Sequence, residues 1–309
     1  MEPDQLERRA LTTQLNRYQS MLLPFAYNVT GDFMAAEDIV QEVLNHHFLN
    51  SNEHIENPDH YLIRSVINRA INQKNLLRNK MEQYPGRWLP APVITEEGIY
   101  ASADRGRILQ YSLLVLLERL NAKERAVFIL KETFDFNHEE IAEILNINTE
   151  HSRQLLKRGK KKIMPSESKA GAVNAESRHL LEQLAEAISA ADIEKTKSLL
   201  AQDVECVSDG GPKMSAARKM LVGQERVSKF LKAIYGKYFP PGTTTTFAVV
   251  NHFPALIFKL NGEIFRCIVF EMNGSTIRKL FIMVNPDKFQ GLVINKPPRR
   301  GDAKDQRQK

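Results

Sequence analysis

Residues 137–163 read NHEEIAEILNINTEHSRQLLKRGKKKI, an acidic, apolar-striped segment that passes through a short polar break into a second stripe crowded with Arg and Lys. Asn137 is placed to cap a helix HEEIAEIL, and Glu139 and Glu140 sit where carboxylates complement the positive end of its dipole. Asn146 falls where the turn demands a left-handed residue, a conformation Asn tolerates better than most. Asn148 or Thr149 then starts the next helix. Ile141, Ile144, Leu145, Ile147, Leu155 and Leu156 form the inner face of two crossing helices, and small Ala142 allows their close approach. The spacing predicts a helix-turn-helix whose second helix enters a major groove.

On the outer face, Arg153, Gln154, Lys157 and Arg158 are followed by Lys160, Lys161 and Lys162. Arg and Gln near the helix start have the planar geometry to read guanine and adenine edges, whereas the later lysines suit phosphate anchoring. A solvated basic face is the competing reading. The whole chain of 309 residues carries a net charge of +6, which favours an anionic partner without naming one. Cys206 and Cys267 stand far apart with no His or Cys at ligand spacing, so no disulfide framework, metal site or cofactor is expected. The first fifteen residues lack the apolar core of a signal peptide, and no apolar run approaches a membrane span, so the expectation is a cytoplasmic protein without a membrane partner.

Outward from the opening stretch, residues 107–164 are helical throughout, and residues 5–82 form a separate helical unit with apolar residues at three and four spacing. Asn57-Pro58 is a helix start, residues 50–57 a polar loop, and Pro24 predicts a kink or a late helix start. Residues 83–106 and 165–177 read as linkers, the first made adhesive by Trp88 and Leu89. Residues 178–290 begin helical and become rich in β-branched and aromatic residues. Asn261-Gly262 and Asn273-Gly274 separate apolar runs there as hairpin turns, which predicts an antiparallel meander in an α+β domain. Residues 291–309 have the composition of a tail whose removal perturbs regulation before folding. The fold expected is multidomain: two all-α domains, the second with the helix-turn-helix, then an α+β cone with a curved antiparallel sheet.

With both helical units in hand, the chain resembles a bacterial RNA polymerase sigma factor of the extracytoplasmic-function class. FAYNVTGDFMAAEDIVQEVL is similar to the family's second region, YLIRSVINRAINQKNLLRNK to the adjoining segment that melts and reads the minus-ten element, and residues 117–163 to the fourth region, which reads the minus-thirty-five element. The resemblance implies that Asp38, Gln41 and Glu42 face polymerase, and that Asn68 lies near the melted strand with Arg64, Arg69 and Lys74 on the adjoining basic face. Loop 50–57 would hold an extruded base. Arg153, Gln154 and Arg158 match the family's base and backbone contacts, with Lys157 and Lys161 beside them.

The third domain resembles the SnoaL-like cone that one subgroup carries after the fourth region. The subgroup's WLPEP, DGGGK and NPDKL motifs stand here as Trp88-Leu89-Pro90-Ala91-Pro92, Asp209-Gly210-Gly211-Pro212-Lys213 and Asn285-Pro286-Asp287-Lys288-Phe289, each departing at one position. In the subgroup the cone regulates the sigma factor in cis, while the second- and fourth-region resemblance implies core polymerase and promoter DNA as partners. The resemblance of the third domain also implies a small-molecule ligand or regulatory protein at the cone. Two other readings stand beside it. A stand-alone DNA-binding regulator needs only the helix pair. An enzyme fused to a targeting module would use Asp209, His252, Glu263 or Glu271, although Asp209 before Gly-Gly reads first as a turn residue and fold analogy supplies no site.

Overall fold

Apolar residues at three and four spacing form helices α1 (Pro3–Thr30), α2 (Phe33–Leu49) and α3 (Pro58–Met81) in a computed structural model that describes residues 3–49, 56–81, 84–95, 107–163 and 175–292. Leu22, Phe25, Ala26, Val40, Leu62, Val66 and Ile67 meet in their core. Helix α1 runs unbroken through Pro24, so the late start expected there does not occur. Asn57 caps α3 by accepting from His60 N at 3.1 Å. Of loop 50–57, all but Glu56 and Asn57 lies outside the described residues.

Helices α4 (Tyr111–Leu117), α5 (Ala122–Glu132), α6 (His138–Leu145) and α7 (Thr149–Ile163) follow. Asn137 accepts from Glu140 N while the Glu140 carboxylate accepts from Asn137 N, a reciprocal cap at the start of α6. Asn146 is left-handed, with φ of 51°. Asn148 caps α7 through His151 N at 2.7 Å. Ile141, Ile144, Leu145 and Leu155 are buried, with Ile147 and Leu156 half-buried beside them. These residues do not form a core of their own. They merge with those of α1 to α3 into one apolar cluster, in which the Phe25 and Phe134 rings stack with centroids 3.7 Å apart. The two helical units, separate in sequence, therefore share one interior.

The remainder is α8 (Ala175–Ser189), α9 (Ile193–Ser198), β1 (Leu200–Asp209), β2 (Leu221–Val222), α10 (Gln224–Tyr238), β3 (Thr244–Val250), β4 (Phe253–Leu260), β5 (Glu263–Asn273) and β6 (Thr276–Met283). The sheet order is β2-β1-β6-β5-β4-β3. Strands β3 to β6 form the antiparallel meander, but β1 pairs parallel with β6, so the sheet is mixed rather than wholly antiparallel. The parallel pair joins strands at opposite ends of the domain sequence, a long-range pairing that local hairpin signals do not report. Register shifts at Phe258/Lys259 and Glu271/Met272 bend the strands. One sheet face packs Leu256, Phe258, Ile268 and Phe270 under α8 and α10. The other carries Val250, Ile257, Cys267, Val269 and Phe281, packed with Leu89 and Tyr111 of the preceding parts of the chain.

Two turns depart from the local reading. Asn261-Gly262 has φ of 52° and 86°, as a type I′ hairpin needs. Asn273, however, is the last residue of β5 and pairs with Thr276, so Gly274-Ser275 makes that turn, with Gly274 at φ of 58°. Residues Asn251 and His252, at φ of 47° and 64°, form a further tight hairpin between β3 and β4. The expected tail begins later than residue 291, because Gly291 and Leu292 are buried, with Gly291 O accepting from Ile94 N at 3.0 Å. Truncation after 290 therefore removes packed chain.

Asn146→Val should lower stability by about 1 to 2 kcal/mol, because a β-branched residue resists the left-handed region, whereas Asn146→Gly should cost little. Chemical denaturation of the two variants checks the ordering.

Candidate nucleic-acid interface and the polar seam behind it

The outer face of α7 is open. Arg153, Gln154, Lys157, Arg158 and Lys161 are all exposed. Arg153 is held at the helix start between Glu139 at 3.5 Å and Glu150 at 3.8 Å, and Gln154 donates to Glu150 at 3.3 Å. These exposed contacts are weak enough to exchange for base edges or phosphates. Lys160 and Lys162 differ, pairing with Glu132 at 2.8 Å and Glu124 at 2.7 Å on α5. His138 Nδ1 lies 2.8 Å from Ser152 Oγ, bracing α6 on α7, and burial together with Arg153 holds its pKa below the usual histidine value.

On α2, Asp38, Gln41 and Glu42 share the exposed face, but Glu42 is already ion-paired to Arg69 of α3. Arg64 is exposed. Asn68 donates at 2.9 Å to Ile144 O at the end of α6, which ties α3 to the helix-turn-helix. Lys74 is not on the basic face. It is buried at 5% exposure, donating to Thr30 O at 3.1 Å and Glu118 Oε2 at 2.7 Å. It lies on the same stripe as Val66, Ala70 and Leu77, a four- and three-residue spacing that marks the inner side of α3. In this arrangement of the helices it is not on the exposed basic face expected for it, and that placement is corrected.

Glu118 gathers both cations at this seam. Arg125, fully buried, contacts Glu118 Oε1 at 2.5 Å and donates Nε to Asn28 O at 2.7 Å. Burial opposes ionisation of Glu118, but Arg125 and Lys74 together hold its carboxyl below the usual range. Burial drives Lys74 the other way, from 10.5 to about 8. Gly31 passes close by: a Cβ there would lie 2.9 Å from Glu118, and its φ of 70° already excludes most side chains.

The two C-terminal motif regions converge on the third, in the linker. Asp209 accepts from Lys288 Nζ at 2.6 Å, Leu89 N at 2.8 Å, Tyr84 OH at 2.5 Å and Gly211 N at 3.0 Å. Lys288 also donates to Leu89 O at 2.5 Å, and its ammonium sits 3.3 Å from the centroid of the Trp88 ring. Asn285 donates to Tyr84 OH at 3.1 Å and, with Pro286, opens the 3-10 turn that carries Asp287 and Lys288. Gly210 and Gly211 let the chain turn tightly here, and a Cβ on Gly211 would sit 2.5 Å from Asn285 Nδ2. Lys213 and Asp287 pair at 2.6 Å on the surface. Pro90 accepts from Tyr111 OH at 2.7 Å.

A second convergence gave no signal in sequence. Asn251, wholly buried in the β3–β4 turn, exchanges two 2.9 Å hydrogen bonds with Val93. It also donates to Tyr27 OH at 3.0 Å and Leu109 O at 3.3 Å, and accepts from Tyr111 N at 3.2 Å. One side chain and its backbone thus touch α1, the linker, α4 and its approach. Ser112 of α4 donates to buried Glu271. The acid-base candidates are accordingly spent separately: Asp209 on Lys288, Glu271 on Ser112 and His252 on Ile108 O at 2.8 Å, while Glu263 is exposed at a hairpin. Among the described residues no group of three His, Cys, Asp or Glu side chains is arranged to hold a metal ion, and no helix is long and apolar enough to cross a membrane.

Residues 110–163 match the family model for sigma-70, region 4. The chain is 28% identical over 225 residues to the ECF RNA polymerase sigma factor SigJ of Mycobacterium tuberculosis, covering 71% of each chain. It is 25% identical over 282 residues to the probable ECF RNA polymerase sigma factor SigI of the same organism, covering 89% of this chain and 93% of that one. The crystal structure of Mycobacterium tuberculosis SigJ superposes with a TM-score of 0.69 at 25% identity, spanning 91% of this chain and 98% of that one.

Removing one member of the Asp209–Lys288 pair strands a buried charge. Asp209→Ala and Lys288→Met should each cost about 3 to 5 kcal/mol, and the double variant less than their sum. Urea unfolding of the three variants measures this coupling. Lys74 sets a pH dependence. Between about 8 and 10.5 the unfolded chain holds a proton that the folded chain has released, so this group's contribution to stability increases with pH across that window. Lys74→Met should remove that rise, read as the difference between the two stability profiles from pH 7 to 10.

Proposed function

We infer from this geometry how a chain that belongs to the extracytoplasmic-function RNA polymerase sigma factors works: as a promoter-specificity subunit that its own C-terminal cone holds closed. The chain binds core RNA polymerase and directs promoter-specific initiation, in the cytoplasm and without chemistry of its own. The exposed face of α2, with Asp38, Gln41 and Glu42, offers carboxylates and an amide to basic groups on polymerase. Breaking the surface pair Glu42–Arg69 costs little and frees both for their partners. Arg64 and Asn68 face the melted strand, while Arg153, Gln154 and Arg158 face the minus-thirty-five element with Lys157 and Lys161 on phosphates.

The observation that carries the closed state is the hydrogen bond from Asn68 to Ile144 O. Elements centred near minus ten and minus thirty-five are about 25 base pairs apart, roughly 85 Å of duplex at about 3.4 Å per step. Helices α3 and α6 in direct contact cannot span that distance, so binding both elements requires the shared helical core to part. The linker that would have to extend is the segment held by Asp209, Lys288 and Asn251. Polymerase and promoter then favour the open arrangement by the contacts they make only with it, and the cone favours the closed one. A stand-alone repressor has no use for this arrangement and is not favoured.

Asp38→Lys with Glu42→Lys should abolish co-elution with core polymerase while leaving binding to duplex DNA intact. Asn251→Ala, which loosens the seam, should raise run-off transcript yield at equal protein concentration, and an unchanged or lower yield would remove the inhibitory role. Arg153→Ala should cost about 1 to 3 kcal/mol at one base position, whereas Lys161→Ala should weaken all sequences alike and flatten the salt dependence. Binding measured across a promoter panel at several salt concentrations separates the two.

A further inference from the structure

The interior of the cone holds a guanidinium with two nitrogens that no hydrogen bond among the described residues satisfies. Arg266 on β5 is 5% exposed, and its Nε and Nη1 are buried without a hydrogen-bond partner. Among the described residues no carboxylate pairs with it. Its guanidinium lies 4.6 Å from the centroid of the Phe239 ring, a cation–π contact that does not supply the hydrogen bonds Nε and Nη1 lack. Burial lowers its pKa to about 10, which still leaves it protonated at neutral pH. A buried, unpaired charged donor is among the more costly features a fold can carry, and a binding site is the usual return for it.

A cavity lies beside it. Between the sheet and helices α8 and α10, Leu184, Ile188, Leu231, Ile234, Leu256 and Ile268 line a space with about 60 Å³ open to the centre of a water molecule. Arg266 lies next to three residues that line this space rather than in its wall: its cross-strand neighbour Phe258, Ile268 on its own strand face, and Phe239, whose ring its guanidinium approaches. Of the hydroxyls nearby, Ser189 donates to Tyr235 OH at 2.8 Å, which leaves Tyr235 its own proton, and the guanidinium adds a charged donor beside this wall. At roughly 10 to 15 Å³ per water centre, the space corresponds to about five waters, or roughly 150 Å³ of liquid, the size of one benzene ring.

We propose that the cone cavity binds a small organic carboxylate, with a single-ring or five- to six-carbon apolar body among the leucines and isoleucines and its carboxylate on Arg266. The planar fork of Arg takes a carboxylate through two parallel N–H···O bonds, which an alcohol or hydrocarbon of the same shape cannot reproduce. The inference rests on the closed-state reading above only for its consequence. The cavity lies on one face of β4 and β5, and the opposite face of the same strands packs Leu89 and Tyr111, so occupancy bears on the seam through one sheet.

The test is titration calorimetry and thermal melting of the full chain with benzoate and hexanoate, against benzyl alcohol and hexanol. The carboxylates should bind at least ~10-fold more tightly than the alcohols and raise Tm by several degrees at saturation. Arg266→Met should raise the ligand-free Tm, because it removes an unpaired buried charge, and should erase the preference for carboxylate. Ala185→Leu, which fills the cavity with Arg266 intact, should block benzoate, and this arm stands if the Arg266 variant fails to fold. Equal binding of benzoate and benzyl alcohol, no binding of either carboxylate, or unchanged benzoate binding by Ala185→Leu would overturn the site. Binding that leaves run-off transcription unchanged would keep the site and remove its regulatory role.

Discussion

Asp209 and Lys288 can be buried only together, and where they meet they take the linker with them. Either charge alone in that interior would cost several kcal/mol, so the pair forms only when Leu89 supplies its backbone N–H and carbonyl and Trp88 covers the ammonium. The linker is thereby held by its main chain as well as by its apolar side chains. Everything that follows along the chain inherits the constraint: Pro90 is placed to accept from Tyr111, Ala91 to join Gly31, and Val93 to pair with Asn251.

The second buried ionic group, Glu118 with Lys74 and Arg125, works on the same principle between the two helical units. The two clusters also feel one another. Lys288 is among the charges that lower the pKa of Lys74, and Glu118 among those that raise that of Lys288. A seam built from apolar contacts alone would tolerate sliding, since such contacts are non-directional. Hydrogen-bonded charges accept only one register. The same property makes the seam suited to switching, because a directional network is either made or lost, whereas an apolar interface weakens by degrees.

The cone has spent its two sheet faces differently. One packs the linker and α4 and is stitched by Asn251, Glu271 and Asp209, and the other encloses a small apolar space, with the guanidinium of Arg266 next to residues that line it. Catalytic use of the residues available for it is disfavoured because Asp209, His252 and Glu271 are each committed to a structural partner. The burial of Asp209 and Glu271 follows from the contact with the linker and α4, which an isolated cone would lack.

Local signals in the sequence were enough for the helices, their caps and the helix-turn-helix, because these depend on residues within one or two turns. Asn137 with Glu140, Asn146 in the left-handed turn and the Asn261-Gly262 hairpin are of this kind. The resemblance drew attention to the three motif regions, but not to the reason they matter, which is that Asp209, Lys288 and Leu89 share one set of hydrogen bonds. Lys74 was misassigned because charge was weighed above its place on the inner stripe of α3. The parallel pairing of β1 with β6, the common core of the two helical units and the junction at Asn251 belong to tertiary structure alone. Each joins segments far apart in the chain, and an Asn or Glu at such a junction looks no different in sequence from one in a solvated loop until packing removes the water around it.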